Sequence, residues 1–406
     1  MARVSMLVAV IIGIAGLILS GCGSLANRKW GFIDTTGNLV IPYQFDEVAT
    51  DNYTGFAPPG YNFFLLKPFR NFSEGLCAIR IGASWGYIDK AGKVVIPLQY
   101  DSAGTFSEGL ACVRKGDKIG YIDKAGKVVI PITLDWFPQL SSNHASAEDN
   151  DEDSDHENDQ KGLQKNESVP FMIECCQFSE GLAAVHRGQK CGYIDRSGNF
   201  VIPPRYEMCS QFYEGMATVS DGTTLCRIDK SGRVIAKLTS TDFYGDGLFV
   251  REVGHNQYDF VDRATQKPFS QVFGGAHQFS AGLAAVSPDS PSSMKGRQAW
   301  GYIDKTGKMV IPPRFYMGSN DLSSAFVDDR AIAATSPLGN GPFGVIDRTG
   351  KWIVSPHYYL IAAYREGLAW ALSNSKFVYL DKNGREVIDP HTSWGNSFSE
   401  GLAAVR

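Results

Sequence analysis

Histidine is sparse in this chain, seven residues among 406. His144, His156, His186, His255, His277, His357 and His391 are scattered, and no two share a metal-ligand spacing. There is no His-Glu-x-x-His and no phosphate-cradling glycine loop, and the one Gly-x-Ser-x-Gly spacing, Gly82-Ala-Ser-Trp-Gly86, leads into a strand-like phrase rather than a helix, so it is not a hydrolase elbow. No catalytic residue, metal or cofactor is expected. Excess positive charge is also lacking: the net charge is −4, which argues against nucleic acid as a partner. Beyond the N-terminal run, no segment carries long helical periodicity.

Long apolar runs are absent except for one, Met6 to Leu19, which follows Arg3 and ends in Leu19-Ser-Gly-Cys22. It is short for a span of ~20 residues and resembles a bacterial lipoprotein signal with its lipobox. That resemblance implies that residues 1–21 are removed and that Cys22 carries lipid, the chain's link to a membrane. Several acyl chains would anchor stably where one binds only marginally. Residues 22–29 form a short tether of at most ~25 Å between lipid and Trp30. Gly23, rather than Asp, fits sorting to the outer membrane where a cell has two. The expected location is the bacterial cell envelope. Seven further cysteines, an odd number, fit no zinc pattern. A Cys191–Cys226 bridge is one expectation, small buried apolar residues the other.

What is abundant is repetition. Phe72-Ser-Glu-Gly-Leu76 returns at Phe106, Phe178 and Phe398, and Trp85-Gly-Tyr-Ile-Asp89 has counterparts ending at Asp123, Asp195 and Asp304. The Asp of this phrase also falls at Asp34, Asp229, Asp262, Asp347 and Asp381, giving nine copies with a base period of about 34 residues. Each copy reads as three short strands. Gly181-Leu-Ala-Ala-Val185 is apolar on both faces and should be buried on both. Trp85 to Asp89 is the second strand. Lys93-Val-Val-Ile-Pro97 is the third, β-branched and stopped by a residue that cannot donate to a ladder. Asp89-Lys-Ala-Gly-Lys93 joins the last two as a hairpin with Gly92 at positive φ. The fold class is therefore all-β, a single array over residues 30–406, in which 43% hydrophobic and 12% aromatic content suffice for a core.

These phrases resemble the bacterial WG-repeat (KWG-repeat) family, strongly at 72–100, 106–131, 178–204, 279–313 and 398–406 and weakly at 212–236, 244–270 and 328–356. The resemblance implies architecture and carries no shared reaction. The copy beginning at Trp30 lacks a Phe-Ser-Glu-Gly-Leu strand, and the chain's last segment is that strand alone. If the two pair, the array closes as a β-propeller-like ring and leaves no edge unpaired there. The alternative is an open β-solenoid, favoured by a count of nine against the usual four to eight blades.

The recurrent Asp residues are expected to accept backbone N–H bonds in their turns, and Glu74, Glu108, Glu180 and Glu400 to be solvated or turn-capping. An insertion at about 141–168 contains Glu148 to Asp159, eight acids without a Lys or Arg. Such a run predicts a disordered loop. As a calcium loop it fails, with Ser154 where glycine is needed and Gln160 where the closing Glu belongs. Tyr53, Phe56, Tyr61, Phe63 and Phe64 cluster between the first two copies and are candidates for stacking on sugar rings or a partner protein. The expected function is a non-catalytic binding or scaffold surface for a protein or a cell-wall glycan. The rival is an envelope hydrolase with its site on the ring's central face. Oligomeric state is not legible.

Overall fold

The computed structural model describes residues 29–49, 71–135, 177–238, 243–255, 257–262, 265, 267–269, 271–288, 299–316, 325–336, 341–373 and 376–406. Described residues form strands and turns only, in eight hydrogen-bonded sheets. The seven-stranded sheet holds two repeats joined by one residue pair, Asp135 with His186, so the eight sheets carry nine modules.

One module shows the plan. Leu110–Lys115, Lys118–Asp123 and Val128–Asp135 are the three expected strands, paired antiparallel in that order, except that the third runs on past Pro131, where the sequence reading had it stop. A fourth, not foreseen, is the return segment Ser102–Ala103, which pairs with the first strand. It follows the previous module's third strand, Val94–Tyr100, after a single residue. Third strands thus run straight into the neighbouring sheet, and Asp46, Asp101 and Glu207 donate backbone N–H to Arg80, Arg114 and Ser220 there.

The Gly of Trp-Gly is required by a close approach. A Cβ on Gly86 would stand 2.6 Å from the Ile96 carbonyl oxygen, and one on Gly301 2.3 Å from that of Ile311. The third strand bulges into the second there, with register shifts on both sides of Tyr87.

Modules are held together by shared cores. The Tyr of each Gly-Tyr-Ile-Asp is buried against the Phe that opens the next module. Ring centroids are 4.9 Å apart for Tyr87–Phe106, 5.0 Å for Tyr121–Phe178, 4.8 Å for Tyr193–Phe212 and 4.9 Å for Tyr302–Phe326. Edge-on aromatic pairs of this kind add about 0.5–1.5 kcal/mol each beyond their burial. The Ile of the third strand meets the turn glycine of the next module: Ile41 under Gly92, Ile96 under Gly126, Ile130 under Gly198.

The ring closes. Leu402–Val405 pairs antiparallel with Trp30–Asp34 as the missing first strand of module one. Ile33, Ala403 and Val405 share a core with Phe377, Tyr379 and Ile388 of module nine. Ile388 meets Gly37 as Ile41 meets Gly92. On its other side, Ser399 donates to the Phe72 carbonyl of module two. Closure is the propeller-like arrangement, and nine modules accommodate it.

One cysteine expectation is corrected. Cys191 is bonded to Cys209, not to Cys226, whose thiol is free. Cys191 occupies the Trp85 position and Cys209 the Ala103 position, residues that share a core in module two's junction. Replacing that large–small pair by two cysteines brings their sulfurs together across the junction of modules four and five. Cys77 and Cys112 are the buried small residues foreseen.

Candidate interaction surface

The recurrent acidic groups are built into the ring. Asp89 Oδ1 accepts N–H bonds from Ala91 at 3.0 Å and Lys93 at 2.9 Å, and Asp123 and Asp195 repeat the pattern. Where the turn carries a hydroxyl, it joins: Thr306 lies 2.6 Å from Asp304 and holds its carboxyl below the usual range, and Ser231 does the same for Asp229. This is the turn chemistry expected.

The glutamates do something sequence spacing did not reveal. Each Glu of Phe-Ser-Glu-Gly lies in the left-handed region, φ 55° at Glu74 and 54° at Glu108, and its carboxylate reaches the next module. Glu74 accepts the Gly109 N–H at 3.0 Å, Glu108 that of Gly181 at 3.0 Å, Glu180 that of Gly215 at 2.9 Å and Glu366 that of Gly401 at 2.9 Å. The first lysine of the next module's turn completes the clamp, Lys124 on Glu74 at 3.2 Å and Lys230 on Glu180 at 3.2 Å. In module seven Ala281 replaces the Glu, and Asp329 stands where module eight would have its Gly. Arg348 bridges them instead, donating to the Ala281 carbonyl at 2.8 Å and to Asp329 at 3.3 Å. The clamp was legible only as a constant Glu; its partner lies about one period away.

What remains for a ligand is the outer strand. The first two residues of the third strands stand out of the core: Val94, Val95, Val128, Val129, Val234, Ile235, Leu39 and Val40 are all exposed. Exposed Lys93, Lys127 and Arg233 precede the pairs Val94-Val95, Val128-Val129 and Val234-Ile235. An open cleft of about 630 Å³ lies between modules seven and eight, lined by Arg314, Phe315, Thr335, Gly350, Lys351 and Trp352. Arg314 lies over Phe315 with 5.1 Å to the ring centroid and donates to the Gly350 carbonyl at 2.6 Å, while Phe315 meets Trp352 edge-on at 5.3 Å. The lining offers cations and an aromatic face. Among the described residues, no three His, Cys, Asp or Glu side chains are grouped to hold a metal ion.

The aromatic candidates Tyr53, Phe56, Tyr61, Phe63 and Phe64, the lipidation candidate Cys22, Cys175, Cys176 and the acidic run Glu148 to Asp159 lie outside the described residues. In sequence, residues 50–70, 136–176 and 317–324 each fall shortly before the buried Phe that opens a module, Phe72, Phe178 and Phe326.

The family described as WG containing repeat matches residues 30–58, 85–118, 119–151, 192–222, 300–317, 343–377 and 379–406. The chain belongs to the WG-repeat family. The longest stretch without a match, between Gly222 and Trp300, holds the last two strands of module five, module six and the first strands of module seven. No curated protein matches the chain. Among solved structures, the computationally designed Ika8 protein aligns over 77% of this chain and 92% of its own, with 10% identity and a TM-score of 0.38. BamB from Moraxella catarrhalis covers 66% of this chain and 79% of its own at 12% identity and TM-score 0.33. Dihydro-heme d1 dehydrogenase NirN in complex with DHE covers 77% and 72% at 12% identity and 0.37. These likenesses are too distant to speak of function. The WG-repeat ring itself fits a binding or scaffold role.

Proposed function

We propose that this WG-repeat ring is an exported, lipid-anchored docking platform of the cell envelope, non-catalytic, whose ligand is a protein or a cell-wall glycan. The observation that carries the reading is the fate of its recurrent acids. Glu and Asp residues of successive modules are committed to neighbouring N–H groups and lysines, which leaves apolar pairs, lysines and the Arg314–Trp352 cleft as the accessible chemistry. A cleft of cations and an aromatic face suits stacking and hydrogen bonding to a sugar or a peptide. A hydrolase would need an acid–base pair facing its substrate. The anchor rests on Leu19-Ser-Gly-Cys22.

Affinity purification of the lipidated chain from its own envelope tests the platform: a reproducible protein or glycan partner is expected, and recovery of none overturns it. Blocking lipoprotein signal cleavage tests the anchor: an unprocessed precursor is expected, and unchanged processing overturns it.

A further inference from the structure

Among the described residues, third strands come last in most of these sheets, and an open edge invites another strand. Most modules block it. In five of them a proline follows the buried Ile: Pro42, Pro97, Pro131, Pro203 and Pro312. The preceding carbonyl points at the second strand, as the Ile96 oxygen does at Gly86. In a trans peptide the next nitrogen therefore faces the open side, where proline offers no N–H. The bulge at Trp-Gly adds a second obstacle.

Module five has neither device. Its third strand, Val234–Leu238, carries Ala236 at the Ile position and Lys237 at the Pro position, and Cys226 replaces the Gly. Without that pair the ladder is regular: Leu225, Cys226 and Arg227 pair in turn with Leu238, Lys237 and Ala236, and a shift occurs only toward the turn. Among the described residues the strand is last in its four-stranded sheet. Val234 and Ile235 are 49% and 39% exposed. The junction beyond it also departs from the plan. Arg227 stands where other modules have the buried Tyr, its guanidinium 5.2 Å from the Phe249 ring centroid. The turn of module six lacks the glycine that covers Ile elsewhere.

We infer that Val234–Leu238 is a strand-addition site that takes an extended, acidic and apolar segment of a partner protein, which pairs with its backbone as an added edge strand. Charge selects the occupant. Arg233 lies 3.1 Å from Asp229, whereas exposed Lys237 forms no ion pair among the described residues. A second copy of the chain is a poor occupant, since antiparallel self-pairing about Ile235 would set Arg233 opposite Lys237, and like charges directly opposed are destabilising. An acidic strand gains a partner for Lys237. The inference rests on the docking-platform reading and gives it an edge and a partner chemistry.

The probe is a synthetic peptide of about ten residues alternating Glu with Val or Ile, compared with its Lys-for-Glu counterpart, against the full chain and two variants. Lys237→Pro restores the block found in five modules, and Lys237→Glu reverses the charge without touching the backbone. Expected results are binding of the acidic peptide alone, slowed hydrogen exchange in residues 234–238, and affinity at least about tenfold weaker in either variant. If Lys237→Pro does not fold, Lys237→Glu decides. Equal binding of both peptides, protection elsewhere, no binding, or concentration-dependent dimerisation through this strand would overturn the inference. If envelope partners are captured equally by the Lys237→Glu chain, this edge is ruled out while the platform stands. If no partner is captured by the native chain but the peptide binds, the platform reading fails separately.

Discussion

The Glu400 carboxylate lies 3.0 Å from the backbone nitrogen of Gly75, although 325 residues separate them in sequence. It is the same clamp that joins Glu74 to Gly109, used here across the ends of the described array. Lys90 lies 3.1 Å from the same carboxylate. Replacing Glu400 by Ala should cost about 1.5–3 kcal/mol, the range for a hydrogen bond to a charged group. Glu400→Gln, which keeps an acceptor, should cost less. Urea denaturation of the two variants checks this; equal losses would mean that charge plays no part.

Closure should also govern cooperativity. Deleting residues 398–406 removes the first strand of module one and exposes Phe32, Phe72 and Tyr379, which are at most 0% exposed in the ring. The expected result is dye binding to exposed apolar surface and a broadened thermal transition. A sharp single transition at the original temperature would show that the array does not depend on its ends meeting.

Gly86→Ala and Gly75→Ala separate two reasons for glycine. At Gly86 the added Cβ meets the third-strand backbone at 2.6 Å, so the bulge must shift. At Gly75 φ is 85° and nothing lies within 4 Å, leaving conformational strain alone. The expected losses are more than about 3 kcal/mol at Gly86 and about 1–2 kcal/mol at Gly75. Calorimetry of the two variants decides the order.

Cys191 and Cys209 are 18 residues apart in sequence. Closing a loop of that length stabilises by about 3 kcal/mol. Cys191→Ala, Cys209→Ala and the double variant should therefore lose similar amounts, well short of additive. Additive losses would mean that each sulfur acts through packing alone.

Half-buried His186 responds to acid. Burial pushes its imidazole below the ordinary range, opposed by Asp135. The fold favours the neutral ring, so the unfolded chain binds the proton more readily and stability declines as pH falls below about 6.5. The denaturation midpoint should drop between about pH 7 and 5, and His186→Gln should flatten that slope. An unchanged slope in the variant would place the dependence elsewhere.

The sequence made the strands, the Asp turns and the meeting of Phe398 to Arg406 with Trp30 legible, because each is written in local pattern or copied nine times. Three features were not. The return strand is two residues long and has no pattern of its own. The Glu74–Gly109 clamp joins modules, and a constant residue does not announce its distant partner. The Cys191–Cys209 bond needed the knowledge that the Trp and Ala positions face each other across a junction. The loss of Gly, Ile and Pro in module five was visible as worn repeat, yet only the regular ladder of Cys226 with Lys237 shows what that wear opens.

A strand that arrives last completes a sheet begun first. Trp30–Asp34 is made long before its partner Leu402–Val405, so one greasy flank of the first module stays without its lid until that distant strand exists. Until then that flank is the kind of exposed apolar surface that makes a folding chain prone to aggregate.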